Sequence, residues 1–381
     1  MSPSSPSRLV AGAPIDSTSS DRPTAVVYCE GNFGRTDGKT ANGLVRHSER
    51  YRIVAVIDSL HAGSDAGIVL GDAPNGIPVV ADLTAALNAP GGRPEWFVFG
   101  VAPSSGLLST DQRSVVLAAM ALGMSVVNGL HEFLNDDPEF VAAALLAEVL
   151  ITDVRRPKEK KDLHLFSGRI FDVTCPRIAV LGTDGAIGKR TTAILLVEAL
   201  NARGVRAVMV GTGQTTLIQG GKYGVALDAL VPQFCSGEVE DQVVAAWEGE
   251  DPDVIVVEGQ GALSHPAYLT SGHILRGSRP AGVIVQHAPK RRTLGDFPMM
   301  PMPTAASEVA LIEAFADTRV IGITINHELM TDAEITASID EHELELGVPA
   351  TDPLTRPLDR LADMVFDAFP TLRPVAAGTA P

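Results

Sequence analysis

Short apolar runs alternate along the whole chain with stretches in which apolar residues return at the helical period. This is the pattern of buried parallel strands layered with helices. In the first half the runs at 25–29, 53–58, 77–80, 96–101 and 125–127 predict strands, and 40–48, 83–87, 111–122 and 139–150 predict helices. That spacing is Rossmann-like. The second half restarts with a strand at 177–181 and a helix over 189–203, followed by strands at 207–210, 254–257, 283–286 and 320–325. Helices are predicted at 238–247, 305–316, 332–343 and 358–368. The fold class is α/β: an N-terminal Rossmann-like parallel sheet followed by a P-loop NTPase-like doubly wound parallel sheet.

The seam shows as a loss of period. In VRRPKEKKD, beginning at Val154, no apolar face assembles at either period. The chain is therefore expected to divide into a loose tail at 1–23, a Rossmann-like domain at 24–153, a linker at 154–176, a P-loop domain at 177–370 and a second loose tail at 371–381. A length of 381 residues suits two cores. The longest apolar stretch, 140–151, is interrupted by Glu148 and falls short of the ~20 residues that cross a bilayer. It reads as a buried helix.

Charge narrows the partners. A formal charge of −16 argues against a surface built for nucleic acid or an anionic membrane, so any anion must be bound locally. Cys29, Cys175 and Cys235 are far apart and form no CxxC pair, so neither a disulfide framework nor a thiolate metal site is expected. A reducing, cytoplasmic setting, a small-molecule partner, no protein-bound metal and a homo-oligomer are the expectations.

The richest chemistry lies where the strand RIAVLG runs into TDGAIGKRTTAILLVEAL. Thr183, Asp184, Gly185, Ala186, Ile187, Gly188, Lys189, Arg190 and Thr191 form a strand-to-helix turn whose amides and lysine can hold phosphates. Two positions depart from the usual Gly-x4-Gly-Lys-Ser/Thr pattern. Thr183 replaces the first glycine, and Arg190 stands where a hydroxyl normally holds Mg²⁺, leaving Thr191 or nothing for that task. ATP hydrolysis is thereby put in doubt.

A second signal is DVIVVEGQGALSHP, a strand ending in Glu258 and followed by Gln260, which resembles a Walker B strand end and faces the same sheet edge. Glu258 and His265 are the candidate bases. The loop at 211–221 is rich in Gly, Thr and Gln, has little to bury, and offers Gln214 and Thr215 to a substrate. His287 and His327 also follow strand ends. For an acidic substrate the cations in or near strand-end loops are Arg190, Lys222, Arg276, Lys290, Arg291 and Arg292, with Arg291 put forward as the clamp.

The first half has candidates too. The glycines of GNFGRTDG are not spaced as a dinucleotide fingerprint, but Lys39 and Thr40 are good anion contacts at the first strand-to-helix turn. Asp58, His61, His131 and Glu132 follow strands and can converge on one crevice edge.

Together CEGNFGRTDGKTANGL, VIDSLHAG, NGLHEFL, DVRRP, GTDGAIGKRTT, GTGQT and VEGQGALSHPAY resemble the domain of unknown function 1611 family over about 24–326. The resemblance implies a Rossmann-like domain joined to a P-loop domain, with acetyl-CoA as cofactor and N-acetylation of an acidic amino acid, D-glutamate first, as the activity. It implies that 183–191 grips phosphates of CoA rather than the triphosphate of ATP. Relatives resemble TDCAVGK where this chain has TDGAIGK, so Gly185 stands in place of a cysteine. More distantly, GTDGAIGK, VEGQG and the strand-end Asn326 resemble dethiobiotin synthetase, which implies the alternative of an ATP- and Mg²⁺-dependent kinase or ligase. A non-catalytic nucleotide-binding protein is the third reading.

Overall fold

The computed structural model describes residues 22–103 and 105–373. Both expected tails fall mainly outside this range. Within it, Pro370–Leu372 forms a 3-10 turn, and Leu372 packs against the second domain's core.

The first sheet contains β1 (Thr24–Tyr28), β2 (Arg52–Ile57), β3 (Val79–Val80), β4 (Trp96–Phe99), β5 (Ser125–Asn128) and β6 (Ile151–Asp153), all parallel, in the order β3-β2-β1-β4-β5-β6. The second contains β7 (Arg177–Gly182), β8 (Ala207–Gly211), β9 (Tyr223–Gly224), β10 (Val254–Glu258), β11 (Gly282–His287), β12 (Val320–Ile325) and β13 (Ala350–Thr351). Its order is β13-β12-β11-β7-β10-β8-β9, again parallel throughout. The central strands are apolar on both faces because helices cover both. In each sheet the first strand lies at the switch in strand order, so the turn that follows it opens on a crevice.

Most predicted elements match to within a few residues. The apolar stretch 140–151 does not: the helix is Pro138–Ala147, stopped by Glu148 in the left-handed region at φ 55°, and Ile151 opens β6. Only Phe140 and Ala144 of that helix are buried, whereas Leu145 and Leu146 are 76% and 89% exposed. Continuous apolarity concealed both a helix end and a strand start.

The loop at 211–221 is also corrected. Residues Gln214–Gln219 form a short helix with Gln214, Thr215, Thr216, Ile218 and Gln219 buried. What it buries against is the other domain, where Ile218 joins the core of the first sheet. Thr215 Oγ1 lies 3.1 Å from Thr40 Oγ1, Gln219 donates to the Gly43 carbonyl at 2.7 Å, and the Gln219 carbonyl accepts from the amides of Glu49 and Arg50. An Arg155–Asp228 ion pair closes the seam elsewhere. The linker is strapped rather than free: buried Glu238 accepts from the His164 amide, and buried Glu240 from the amides of Ser167, Gly168 and Ile170.

Candidate phosphate-binding site

The turn after β7 is held from beneath by its neighbours. Thr183 pairs its amide with the Gln286 carbonyl at 3.1 Å and its hydroxyl with His287 Nδ1 at 2.9 Å. Burial pushes the His287 ring down to about 4, so it sits there neutral. Asn326 donates to the Ile187 carbonyl at 2.9 Å, and Gln286 Oε1 accepts from Thr192 and Thr324 at 2.5 and 2.6 Å. A Cβ at Gly182 would stand 2.7 Å from the Gln286 carbonyl oxygen, so only glycine fits there.

Asp184 is turned inward and fully engaged. One oxygen accepts from the Gly185 amide at 2.7 Å, the other from the Gly295 amide and from Arg291 Nη1, both at 2.9 Å. Arg291 also donates to the Gly185 carbonyl and grips Glu328 with two nitrogens at 3.0 and 2.8 Å. Its donors are therefore taken up by the chain itself. Ala186 occupies the left-handed region at φ 49° and Gly188 lies at φ 102°. These two reversals curl the backbone so that the amides of Ala186, Ile187 and Gly188, and those opening the helix Lys189–Ala202, have no acceptor among the described residues. Gly185 is unstrained, and a Cβ there would meet nothing within 4 Å.

Lys189 is buried and donates to the Asp184 carbonyl. Burial pulls its ammonium down to about 8 against the attraction of Asp184, and the charge of Lys39, from the other domain, pushes the same way. Arg190 is more isolated. No hydrogen-bond acceptor for it exists among the described residues, and its Nε and Nη2 are buried. Burial lowers its basicity, with Glu258 opposing. The Thr191 hydroxyl, half-buried, has no partner among the described residues either.

Glu258 is buried at the end of β10, where one oxygen accepts from the Thr212 amide at 3.2 Å and the Thr216 hydroxyl at 2.6 Å. Its other oxygen has no hydrogen bond among the described residues. His265 is sealed: its ring stacks on Tyr268 at 4.3 Å, Nδ1 accepts from the Ala267 amide at 3.2 Å, and Nε2 points at Asp184 from 4.0 Å. Burial lowers its pKa against the pull of Asp184 and Asp296. Its Nε2 is buried without a hydrogen-bond partner among the described residues. Gln260 is half-buried and donates to the Thr212 carbonyl, bracing the short helix that carries Gln214 and Thr215. Gln214 and Thr215 lie in the domain seam rather than on a free loop.

The remaining cations separate clearly. Lys222 pairs with Glu250 and Lys290 with Glu334, Arg276 lies over the Phe315 ring, and Arg292 is exposed. His327 binds Asp352 at 2.6 Å. In the first domain Asp58 holds His61 at 2.7 Å, Glu132 accepts from the Leu108 amide, and His131 stands 3.0 Å from Arg155 Nη1. Only His164, Glu238 and Asp241 come close enough together to suggest a metal among the described residues, and Glu238 is already bonded to the His164 amide and to Lys158. Among those residues no helix is long and apolar enough to cross a membrane. Sequence reasoning missed the 295–297 segment, where Gly295 holds Asp184, Asp296 holds the Tyr268 hydroxyl at 2.5 Å, and Phe297 lies against His265. Its residue types carry no local signal.

Residues 164–362 match the model for the domain of unknown function P-loop domain (DUF1611_C), and 59–157 match its Rossmann-like partner (DUF1611_N). A D-glutamate N-acetyltransferase of Tritonibacter scottomollicae is 30% identical over 70% of this chain and 79% of its own length; one from a Pseudoalteromonas species is 28% identical over the same shares. A crystal structure of a DUF1611 family protein from Anabaena variabilis is 33% identical, covers 91% of this chain and all of its own, and superposes with a TM-score of 0.83.

Proposed function

The chain belongs to the domain of unknown function 1611 family, and from that premise we propose that it is an acetyl-CoA-dependent N-acetyltransferase acting on an acidic amino acid, D-glutamate first. The similarity to two proteins of that name carries the reading. The uncommitted amides of 186–188 with Lys189 support it, since they suit the phosphates of CoA. In this reading Glu258 takes the ammonium proton through its unbonded oxygen, directly or through a water. The neutral amine attacks the thioester carbonyl, a C–N bond forms as the C–S bond breaks, the nitrogen gives up a second proton that ends on the departing CoA thiolate, and Glu258 returns the first to solvent.

Thiol release from acetyl-CoA, assayed across D- and L-amino acids, tests this. D-glutamate should give free thiol and N-acetylglutamate in equal amounts, and Glu258→Gln, which keeps the shape of the side chain, should lower kcat about 10²-fold or more. A blank with every amino acid overturns the proposal. ADP release from ATP and Mg²⁺ in its place would favour the kinase or ligase reading that rests on GTDGAIGK and VEGQG.

A further inference from the structure

A guanidinium with two of its three nitrogens shut off from water and no acceptor among the described residues is costly, and a fold keeps one only where something else compensates. Arg190 is such a group. It follows the loop lysine, where P-loops that use a metal carry the hydroxyl that holds Mg²⁺. Its Nε and Nη2 are buried and unpaired among the described residues, and it reaches the seam: a Cβ built on Gly43, in the first domain's helix Lys39–Arg46, would lie 3.8 Å from its Nη1.

Charges converge on the same place from both domains. Lys39 opens that first-domain helix, is exposed, has no carboxylate partner among the described residues, and its charge reaches Lys189. Lys39 and Lys189 thus repel each other across the seam, the Glu258 carboxylate attracts Arg190, the next residue along the helix, and Asp184 is held by Arg291 and by the amides of Gly185 and Gly295. What the place lacks is an acceptor for the Arg190 donors, which the oxygens of a bound anion would supply.

Resting on the reading that this loop binds cofactor phosphates, we propose that Arg190 replaces Mg²⁺. It is a built-in cation with which the loop holds a diphosphate in the absence of any divalent metal, and Lys39 completes the grip from the other domain. A guanidinium suits the task, because its planar donors match phosphate oxygens and its charge does not depend on a metal supply. A single fixed positive charge also repels the cation that an ordinary P-loop would recruit.

Titration calorimetry on the full chain, with CoA and separately with ADP, each in EDTA and in millimolar Mg²⁺, tests this. Wild-type affinity for whichever probe binds should be the same with and without Mg²⁺. Arg190→Thr, which restores the ordinary Lys-Thr pair, should bind about 10–100-fold more weakly in EDTA and recover part of the loss for ADP when Mg²⁺ is added. Arg190→Lys should keep the larger part of the affinity. The melting temperature of ligand-free Arg190→Thr should hold or rise, since an unpaired buried charge is removed.

Strong Mg²⁺ dependence in the wild type overturns the proposal. So does an Arg190→Thr variant that binds both probes normally but has a raised amino-acid KM, which would make Arg190 a reader of the substrate carboxylate. A fall in its ligand-free melting temperature would make the role structural and also overturn it. Lys189→Ala separates the two layers of the argument: unchanged affinity there removes phosphate binding by the loop itself, whereas lost affinity there with unchanged affinity in Arg190→Thr removes only the metal-replacing role.

Discussion

The molecule contains the same device twice: a first strand, a glycine-bearing turn, and a helix that opens with a lysine, Lys39 in one sheet and Lys189 in the other. The two turns are used in opposite ways. After β1, the buried carboxylate of Asp58 reaches across from the end of β2 and accepts from the Gly31 amide at 3.0 Å, the Leu60 amide at 3.2 Å and His61 at 2.7 Å. The chain supplies its own anion there. After β7, the acidic residue Asp184 is drawn under the loop by Arg291 and Gly295, and the amides of Ala186, Ile187 and Gly188 have no acceptor among the described residues. A P-loop is thus recognised less by its glycines than by what the protein withholds from it.

Without its internal anion the first turn would be left as open as the second. Asp58→Ala leaves the Gly31 and Leu60 amides and His61 without their acceptor in a buried place, and should lower unfolding free energy by about 3 kcal/mol. Urea denaturation measures the loss. CoA affinity should stay as in the wild type once the protein is folded. A parallel fall in affinity would mean that the Asp58 anchor also sets the position of Lys39, so that the first turn serves the second.

The two turns also differ in how far local sequence determines them. The second turn could be read because strand, glycines, lysine and helix are contiguous, so local physics fixes it. The first could not: GNFGRTDG looks equally able to hold an anion until Asp58, 27 residues beyond Gly31, folds back into it. Distance in sequence also hid the roles of Arg291, whose donors go to Asp184 and Glu328, and of Gln214–Gln219, a helix too short for a period to show and buried only because a second domain covers it. Arg190 was visible as a departure from pattern. Its lack of an acceptor was not.

The two lysines also differ in their surroundings: Lys189 is buried and Lys39 exposed. Burial holds Lys189 near 8, so below that pH it is charged and ready for an anion; above it, the ligand must bring the proton back. Affinity for CoA should therefore be flat up to about pH 8 and then fall by as much as tenfold per pH unit, as one proton is taken up on binding. Ligand-free stability should move the other way. Between about 8 and the ordinary lysine value the unfolded chain holds a proton that the folded one does not, so the penalty of burying the charge fades and stability rises with pH. The difference between wild type and Lys189→Met isolates this effect from other titrating groups. Equal pH profiles in the two proteins would refute the assignment.

The smallest expected effect concerns strain. In the first turn the left-handed positions are glycines, Gly31 at φ 69° and Gly34 at φ 78°, and the backbone sits there without penalty. In the second, Ala186 takes φ 49°, which costs an L-residue about 1–2 kcal/mol, partly offset because alanine has less freedom than glycine to lose on folding. Ala186→Gly should therefore raise stability by no more than about 1 kcal/mol. It should also weaken CoA binding slightly, since the methyl group narrows the conformations open to the loop before a ligand arrives. A gain in stability with no change in affinity would show that the loop's shape is set by Asn326, Arg291 and Gln286 beneath it, leaving nothing for the strained residue to add.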